Sequence, residues 1–122
     1  NFAKTFSVFK NLFNCHLCRM IIYNVTVSIE KEVSDEWVTW MRDVHIPNVM
    51  ATGFFLENRF AKVLLVGDDD GVTYTTQYVC KNMADLQVYQ GSHAQRLQAE
   101  VKAKFDGKYA AFRTVLETIE AP

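Results

Sequence analysis

The apolar residues of this chain change their spacing in a fixed order, and that order restricts the folds available to it. Residues 21–29 alternate apolar and polar side chains, which is the period of a strand with one buried face. Residues 37–44 instead space apolar side chains by three and four positions, as on one face of a helix. Four further segments follow with strand, strand, helix and strand character: 54–66, 72–80, 82–105 and 109–119. The predicted order of elements is therefore β-α-β-β-α-β.

This order predicts an α+β fold of the ferredoxin-like type. Right-handed crossovers place both helices on one face of a four-stranded antiparallel sheet. The other face of the sheet is then bare, and apolar side chains on a bare face have to be covered by a partner or a ligand. We therefore expect a homodimer that forms through this open face.

Individual residues predict where the two helical segments begin and end. Ser34 can cap the first helix, and Pro47 cannot continue it regularly because proline lacks an N–H group. Asn82 can cap the second helical segment, which Gly91 is expected to interrupt. An S-x-x-Q capping box that starts at Ser92 then predicts that the helix restarts. The predicted core-facing residues are Trp37, Trp40, Met41 and Val44 in the first segment, and Leu86, Tyr89, His93, Leu97, Val101 and Phe105 in the second.

The composition excludes several classes of protein. The chain has 122 residues and a net charge of −1, which indicates one globular domain without an overall basic field for nucleic acid. The third predicted strand also lacks the basic residue and the phenylalanines of the RNA-recognition motif. No apolar run reaches the roughly 18 residues that span a bilayer. We therefore expect no nucleic-acid partner and no membrane span.

Residues 1–19 differ from the rest of the chain in charge and pattern. They hold three basic residues, no acidic residue, and four phenylalanines at helical spacing. We expect this segment to be an N-terminal extension outside the fold, which leaves residues 20–120 as the ferredoxin-like domain. A basic targeting or membrane-surface segment and a helix packed on the domain are the two alternatives.

Three cysteines bear on metal binding and on the cellular compartment. Cys15 and Cys18 form a C-x-x-C pair, but a zinc site needs four ligands and no second pair stands at ligand spacing. A redox role is also disfavoured, because the pair precedes the first strand instead of following one. An odd number of cysteines without a clear secretory signal favours a reducing compartment. We expect no metal, no cofactor and a cytoplasmic location.

Several short motifs, taken in order, resemble one protein family. They are Met20–Val27, Trp37-x-x-Trp40-Met41 leading into His45-Ile46-Pro47, Ala51-Thr52-Gly53, Thr73-Tyr74 with Gln77-Tyr78, and Ala111–Thr114. Over residues 20–120 they resemble a small uncharacterised bacterial family described as a domain of unknown function (DUF 4286). Where related sequences tend to have a proline soon after the histidine of the second helix, this chain has Ala94-Gln95.

The resemblance implies the assembly of the dimeric α/β-barrel group, in which two ferredoxin-like units pack sheet to sheet. The family has no settled activity, so the resemblance implies no catalytic residue. Two functions therefore stay open. One is a small dimeric binding or interaction module without chemistry of its own. The other is a cofactor-independent enzyme, monooxygenase-like or isomerase-like, that acts on a small apolar or aromatic ligand in the barrel cavity. The sequence contains no paired acid and base, which favours the module.

A few polar residues are candidates for a site. His45 is the catalytic candidate, because a helix C-terminus or a neighbouring acid would raise its pKa; a structural hydrogen bond to loop carbonyls is the alternative. Arg113 is expected to pair with an acid across the sheet, and Asp68–Asp70 to form a solvated turn. The candidate ligand-binding residues, expected in a cavity between two sheets or packed at their interface, are Tyr23, Trp40, His45, Tyr74, Gln77 and Tyr78.

Overall fold

Four strands form a single antiparallel sheet, and their order along it is that of the ferredoxin-like fold. The computed structural model describes residues 19–65, 67 and 71–119. The predicted fold class is confirmed. The expected extension up to residue 18, its C-x-x-C pair and the Asp68–Asp70 turn lie outside the described residues. The strands are β1 (Ile21–Glu30), β2 (Phe55–Lys62), β3 (Gly71–Cys80) and β4 (Tyr109–Glu117), in the spatial order β2-β3-β1-β4.

Two composite helices cover one face of this sheet, and each contains a π-helical turn between two α-helical parts. The first composite helix consists of α1 (Ser34–Trp40), a π turn (Met41–His45) and α2 (Ile46–Met50). The second consists of α3 (Met83–Tyr89), a π turn (Gln90–Ala94) and α4 (Gln95–Phe105). The helices therefore continue through the two places where the sequence predicts an interruption.

Pro47 does not end the first composite helix, because the π turn before it removes the conflict with its ring. In a regular α-helix the ring would crowd the carbonyl four residues earlier and leave it without a donor. Here the N–H of Ile46 donates to the carbonyl of Met41, five residues back, so the hydrogen bonds are already shifted when the chain reaches the proline. The second π turn spans Gly91, and no side-chain cap is found at the start of α4, so the predicted restart at Ser92 is wrong.

The π turns also shift the buried stripe of each helix. In the first composite helix the buried side chains step by five residues across the turn, and the second helix shows the same step. Val44 was expected in the first stripe but is 41% exposed, whereas the predicted Trp40, His93 and Val101 are partly buried. The buried positions are Ser34, Trp37, Met41, Ile46 and Val49 in the first helix, and Leu86, Tyr89, Ala94, Leu97 and Phe105 in the second.

The two predicted helix caps have different outcomes. Asn82 caps the second composite helix as expected, because its side-chain oxygen accepts a hydrogen bond from the backbone N–H of Asp85 at 2.8 Å. Ser34 is not a cap. A 3-10 turn (Lys31–Val33) precedes it, and its hydroxyl lies 2.9 Å from the hydroxyl of Tyr74 on β3.

The open face of the sheet carries mainly polar, uncharged side chains over β1, β3 and β4, with Glu30 at the end of β1 as the charged exception. The helix-covered face carries the core, while the residues between the core positions point to the other side. Apolar side chains are the minority on this face, and among them Phe112 is 62% exposed and Leu116 is 40% exposed. The open-face residues of these three strands are Ile22, Asn24, Thr26, Ser28, Glu30, Gly71, Thr73, Thr75, Gln77, Val79, Ala110, Phe112, Thr114 and Leu116.

Among the described residues, no helix combines the length and the apolar character that a membrane crossing requires.

Candidate functional site

A small cavity lies between the helix-covered face of the sheet and the two composite helices. The cavity predicted from the sequence lies between two sheets and therefore on the open face. The cavity found in the structure lies on the opposite, helix-covered side of the sheet. Its volume is about 50 Å³. One water molecule occupies roughly 30 Å³ in the liquid, and ligand pockets for drug-sized molecules measure about 300–1,000 Å³. The enclosed space therefore suits a group about the size of a carboxylate.

Two nitrogen atoms at this cavity are buried without a hydrogen-bond partner among the described residues. They are Nε1 of Trp37, on α1, and Nδ1 of His45, at the end of the first π turn. Trp37 is 1% exposed, and its ring packs between Phe60 and Tyr74, with ring centroids at 5.7 and 5.1 Å. An indole nitrogen can only donate, and an unsatisfied buried polar group costs about 1–3 kcal/mol. A ligand with an acceptor atom would remove this cost at Trp37.

The first π turn brings His45 to the same side of the helix as Trp37. These residues are eight positions apart, which in a regular α-helix separates their directions by about 80°. A π turn accommodates one additional residue, and this reduces the separation to about 20°. The deviation that lets the helix continue past Pro47 therefore also directs the imidazole toward the cavity.

His45 is held in its neutral form. Burial, followed by the positive charge of Arg113, lowers the pKa of its imidazole to about 4. The expectation of a raised pKa is wrong, because the helix does not end at His45 and the carboxylate of Asp43 pairs with Arg42 at 3.1 Å. The indole ring of Trp40 stacks on the imidazole, with centroids 5.3 Å apart and 25° between the planes.

Arg113 is the charged residue of the cavity. It lies on β4 opposite Val25, on the helix-covered side of the sheet. The predicted acidic partner is not found: within the described part of the chain Arg113 makes no ion pair and no hydrogen bond. The described residues that line the cavity include no carboxylate. The charge at this cavity is therefore positive and unbalanced.

Three tyrosines supply the hydroxyl groups at one end of the cavity. Tyr23, Tyr78 and Tyr89 are each less than 5% exposed, and Phe55 packs among them, with its ring centroid 4.7 Å from that of Tyr89. Burial, followed by the nearby tyrosines, raises the pKa of Tyr78, and burial together with Tyr23 raises the pKa of Tyr89. Both phenols stay protonated near neutral pH, and within the described residues none of the three hydroxyls has a hydrogen-bond partner.

The structure brings together only part of the predicted site. Tyr23, His45 and Tyr78 line the cavity, and the ring of Trp40 stacks on the ring of His45. Two other predicted residues lie elsewhere: Tyr74 packs against Trp37 and Phe60 and is bound by Ser34, and Gln77 is on the open face.

Trp37, Tyr89 and Arg113 also line the cavity, and none of them was predicted from the sequence as a site residue. For Arg113 a signal was available, because alternation with Phe112 places it on the helix-covered face of β4, where Glu117 at the end of the strand is the other charged residue. No group of three histidine, cysteine or acidic residues within the described ranges could hold a metal ion.

Solved structures share this fold at low sequence identity. A protein of unknown function from Nitrosomonas europaea superimposes with a TM-score of 0.65 at 11% identity, over 86% of this chain and 94% of that chain. A dimeric ferredoxin-like protein of unknown function from Jannaschia sp. CCS1 gives 0.58 at 16% identity, over 81% and 99%. SnoaB, a cofactor-independent oxygenase from Streptomyces nogalater, gives 0.55 at 8% identity, over 80% and 90%. At these identities the likeness establishes the fold alone.

Sequence comparison assigns the chain to a family. No protein with a curated description matches it. The model of the family described as "Domain of unknown function (DUF4286)" matches residues 20–119, which include all four strands and both composite helices. The chain therefore belongs to the DUF4286 family, as its motifs indicated.

Proposed function

We propose that this protein is a small homodimeric module that binds a small ligand in the cavity between the sheet and the helices. The observation that carries the proposal is the pair of buried nitrogens, Trp37 Nε1 and His45 Nδ1, which have no partners among the described residues and belong to two side chains that line the same cavity. Buried polar groups in folded proteins are nearly always satisfied by protein, water or ligand. A bound molecule with polar atoms at this position supplies the missing hydrogen bonds.

Native mass spectrometry of the purified protein tests ligand binding. We expect a non-covalent adduct that is lost on denaturation and is reduced in Trp37→Phe, which removes the indole N–H and keeps an aromatic ring. Val88→Ala, at a 50% exposed position of α3, is the matched control and should keep the adduct. An adduct of equal occupancy in all three proteins would show that the molecule binds outside this cavity.

The homodimer is supported by the chemistry of the open face. Exposed surfaces normally carry lysine and glutamate, and the centres of protein interfaces are depleted in both. Among the described open-face positions of β1, β3 and β4, Glu30 at the end of β1 is the one charged residue, and Phe112 lies among the uncharged ones. The ferredoxin-like protein from Jannaschia is described as dimeric. Sedimentation equilibrium should give about twice 14.0 kDa, and a monomer at all accessible concentrations would contradict the dimer.

A cofactor-independent enzyme is the second candidate, because His45 and Arg113 place a neutral base and a cation at one cavity. The base could accept a proton from a ligand, and the guanidinium could stabilise the anion that forms. SnoaB, which shares the fold, is a cofactor-independent oxygenase. Incubation of the adduct with and without dioxygen separates the candidates. A ligand mass that stays constant in both conditions argues against an oxygenase, and a ligand NMR spectrum that is also unchanged argues against an isomerase and supports the binding module.

A cytoplasmic location belongs to the same proposal. Cys80 is a free thiol that is fully buried on β3, and burial raises its pKa, so it is protonated and inaccessible. The chain has three cysteines, and a reducing compartment is the one in which such thiols persist.

A further inference from the structure

We propose that the ligand is a short aliphatic carboxylate whose oxygens are bound by the guanidinium of Arg113 and the indole N–H of Trp37. This inference rests on the proposed binding function and names the chemical class of the ligand. It predicts that charge, not only shape, decides which molecules enter the cavity.

The charge of the lining supports an anion. Arg113 contributes one positive charge, and no acidic residue of the described lining balances it. A guanidinium presents a planar set of donors that matches a carboxylate, and such charge-assisted hydrogen bonds are stronger than neutral ones. Arg113 is a solvent-exposed residue and also lines the cavity. A ligand can therefore reach it from solvent.

The hydrogen-bond inventory supports a carboxylate over a neutral group. The indole N–H of Trp37 needs an acceptor, and Arg113 offers several further donors. An ionised carboxylate has about four acceptor positions and no donor, so it can serve both residues at once. An amide of the same shape replaces one acceptor with a donor, and that donor would oppose either the guanidinium or the indole N–H.

The size and the walls of the cavity indicate an aliphatic acid with few carbon atoms. The cavity of about 50 Å³ is smaller than the roughly 150 Å³ that holds a benzene ring. Its apolar walls are formed by side chains from the sheet and both composite helices: Val25, Val27, Met41, Val49, Leu97 and Val101. The cavity therefore admits a carboxylate with at most a short aliphatic tail, and an aromatic acid is too large for it.

Isothermal titration and ligand-observed NMR with propionate test this assignment, with propionamide as the neutral isostere and benzoate as the larger acid. We expect wild type to bind propionate at least about tenfold more tightly than propionamide, which corresponds to the loss of one charge-assisted hydrogen bond, and more tightly than benzoate, whose ring is too large for the cavity. Arg113→Gln should lose a similar factor for propionate, and Trp37→Phe should weaken propionate binding as well. Arg59→Gln, on the open face of β2, should bind propionate like wild type.

The outcomes separate this inference from the proposed function. Equal affinity for propionate and propionamide, or undiminished propionate binding by a folded Arg113→Gln protein, would overturn the carboxylate and leave ligand binding intact. A native adduct without any binding of the acids would do the same. Preferred binding of benzoate would replace the aliphatic acid with an aromatic one. Absence of both the adduct and acid binding would overturn the proposed function together with this inference. Circular dichroism melting of each variant establishes that it is folded.

Discussion

The hydroxyl oxygens of Ser34 and Tyr74 lie 2.9 Å apart and join the start of α1 to β3, one of the two central strands of the sheet. Ser34 is 6% exposed, so this bond lies at the edge of the core and out of reach of bulk water. The ring of Tyr74 also contacts Trp37, with centroids 5.1 Å apart, and so helps to position the indole at the cavity. The serine thus anchors the helix that carries the candidate site.

Loss of this bond should destabilise the protein measurably. Ser34→Ala and Tyr74→Phe each leave one hydroxyl buried without its partner, and we expect each to lower the free energy of unfolding by about 1–2 kcal/mol. The double variant should lose less than the sum of the two single losses, because both single changes break the same bond. Urea unfolding measures all three values. Thr39→Ala, at an exposed position of α1, is the control and should have little effect.

Protonation of His45 should lower stability in mild acid. The pKa of the folded imidazole is about 4, against an ordinary value of about 6.5, so below pH 6.5 the unfolded chain binds a proton that the folded chain does not bind. His45 therefore does not lower the free energy of unfolding above pH 6.5, and it lowers this free energy progressively as the pH falls toward 4. We expect the loss between pH 7 and pH 5 to be on the order of 2 kcal/mol. His45→Gln should lack this component in urea unfolding, and parallel pH curves for both proteins would contradict it.

A charge on the open face should dissociate the proposed dimer. Phe112→Asp places an unpaired carboxylate where the two sheets would meet, and desolvation of that charge opposes association. We expect the variant to sediment as a monomer of about 14.0 kDa with a helical content like that of wild type. Val88→Asp introduces the same charge on the helical side, at a 50% exposed position, and should stay dimeric. Dimers of equal stability in both variants would place the interface elsewhere.

The domain should begin at Met20. This residue is 1% exposed, its N–H donates to the Thr118 hydroxyl at 2.9 Å, and its carbonyl accepts from the Thr118 N–H at 2.9 Å. The preceding Arg19 contributes an exposed ion pair with Glu117, and such pairs are worth less than about 1 kcal/mol. We expect a chain starting at Met20 to melt cooperatively within a few degrees of the longer chain. A chain starting at Ile22 lacks two buried side chains and should melt far lower, as calorimetry would measure.

The strands could be predicted because their side chains alternate between two faces and the apolar ones stay on the same face. Every second residue from Ile21 to Ile29 lies on the face covered by the helices, and a shift of one residue would have exchanged the two faces of the whole strand. The cap at Asn82 was also predictable, since it depends on a side chain and a backbone group three residues away. The open face follows from the same alternation, since its threonines and amides occupy every second position of β1, β3 and β4 together with a few apolar residues.

The helices and the site depend on interactions that a periodic pattern does not contain. A regular period of 3.6 residues favours Val44 over Ile46 as a core residue, and only the π turn reverses this preference. The cavity needs Trp37, Arg113 and Tyr89 from three separate elements, and their proximity follows from the tertiary packing of those elements. The pKa of His45 moved opposite to the expectation because burial and Arg113 outweigh any helix-end effect.

The second π turn also bears on how this family can change in length. A π turn holds one residue more than an α-helical turn, so removal of that residue leaves an α-helix whose two halves keep their orientation. Gly91 lies in this turn, and a side chain added there would meet nothing within 4 Å. No proline follows the turn closely, in contrast to Pro47 after the first one. A relative that also lacks a proline after this turn and is one residue shorter can therefore retain the contacts of Leu86 and Leu97, and an alignment of such relatives should allow a gap inside this helix as well as in the loops.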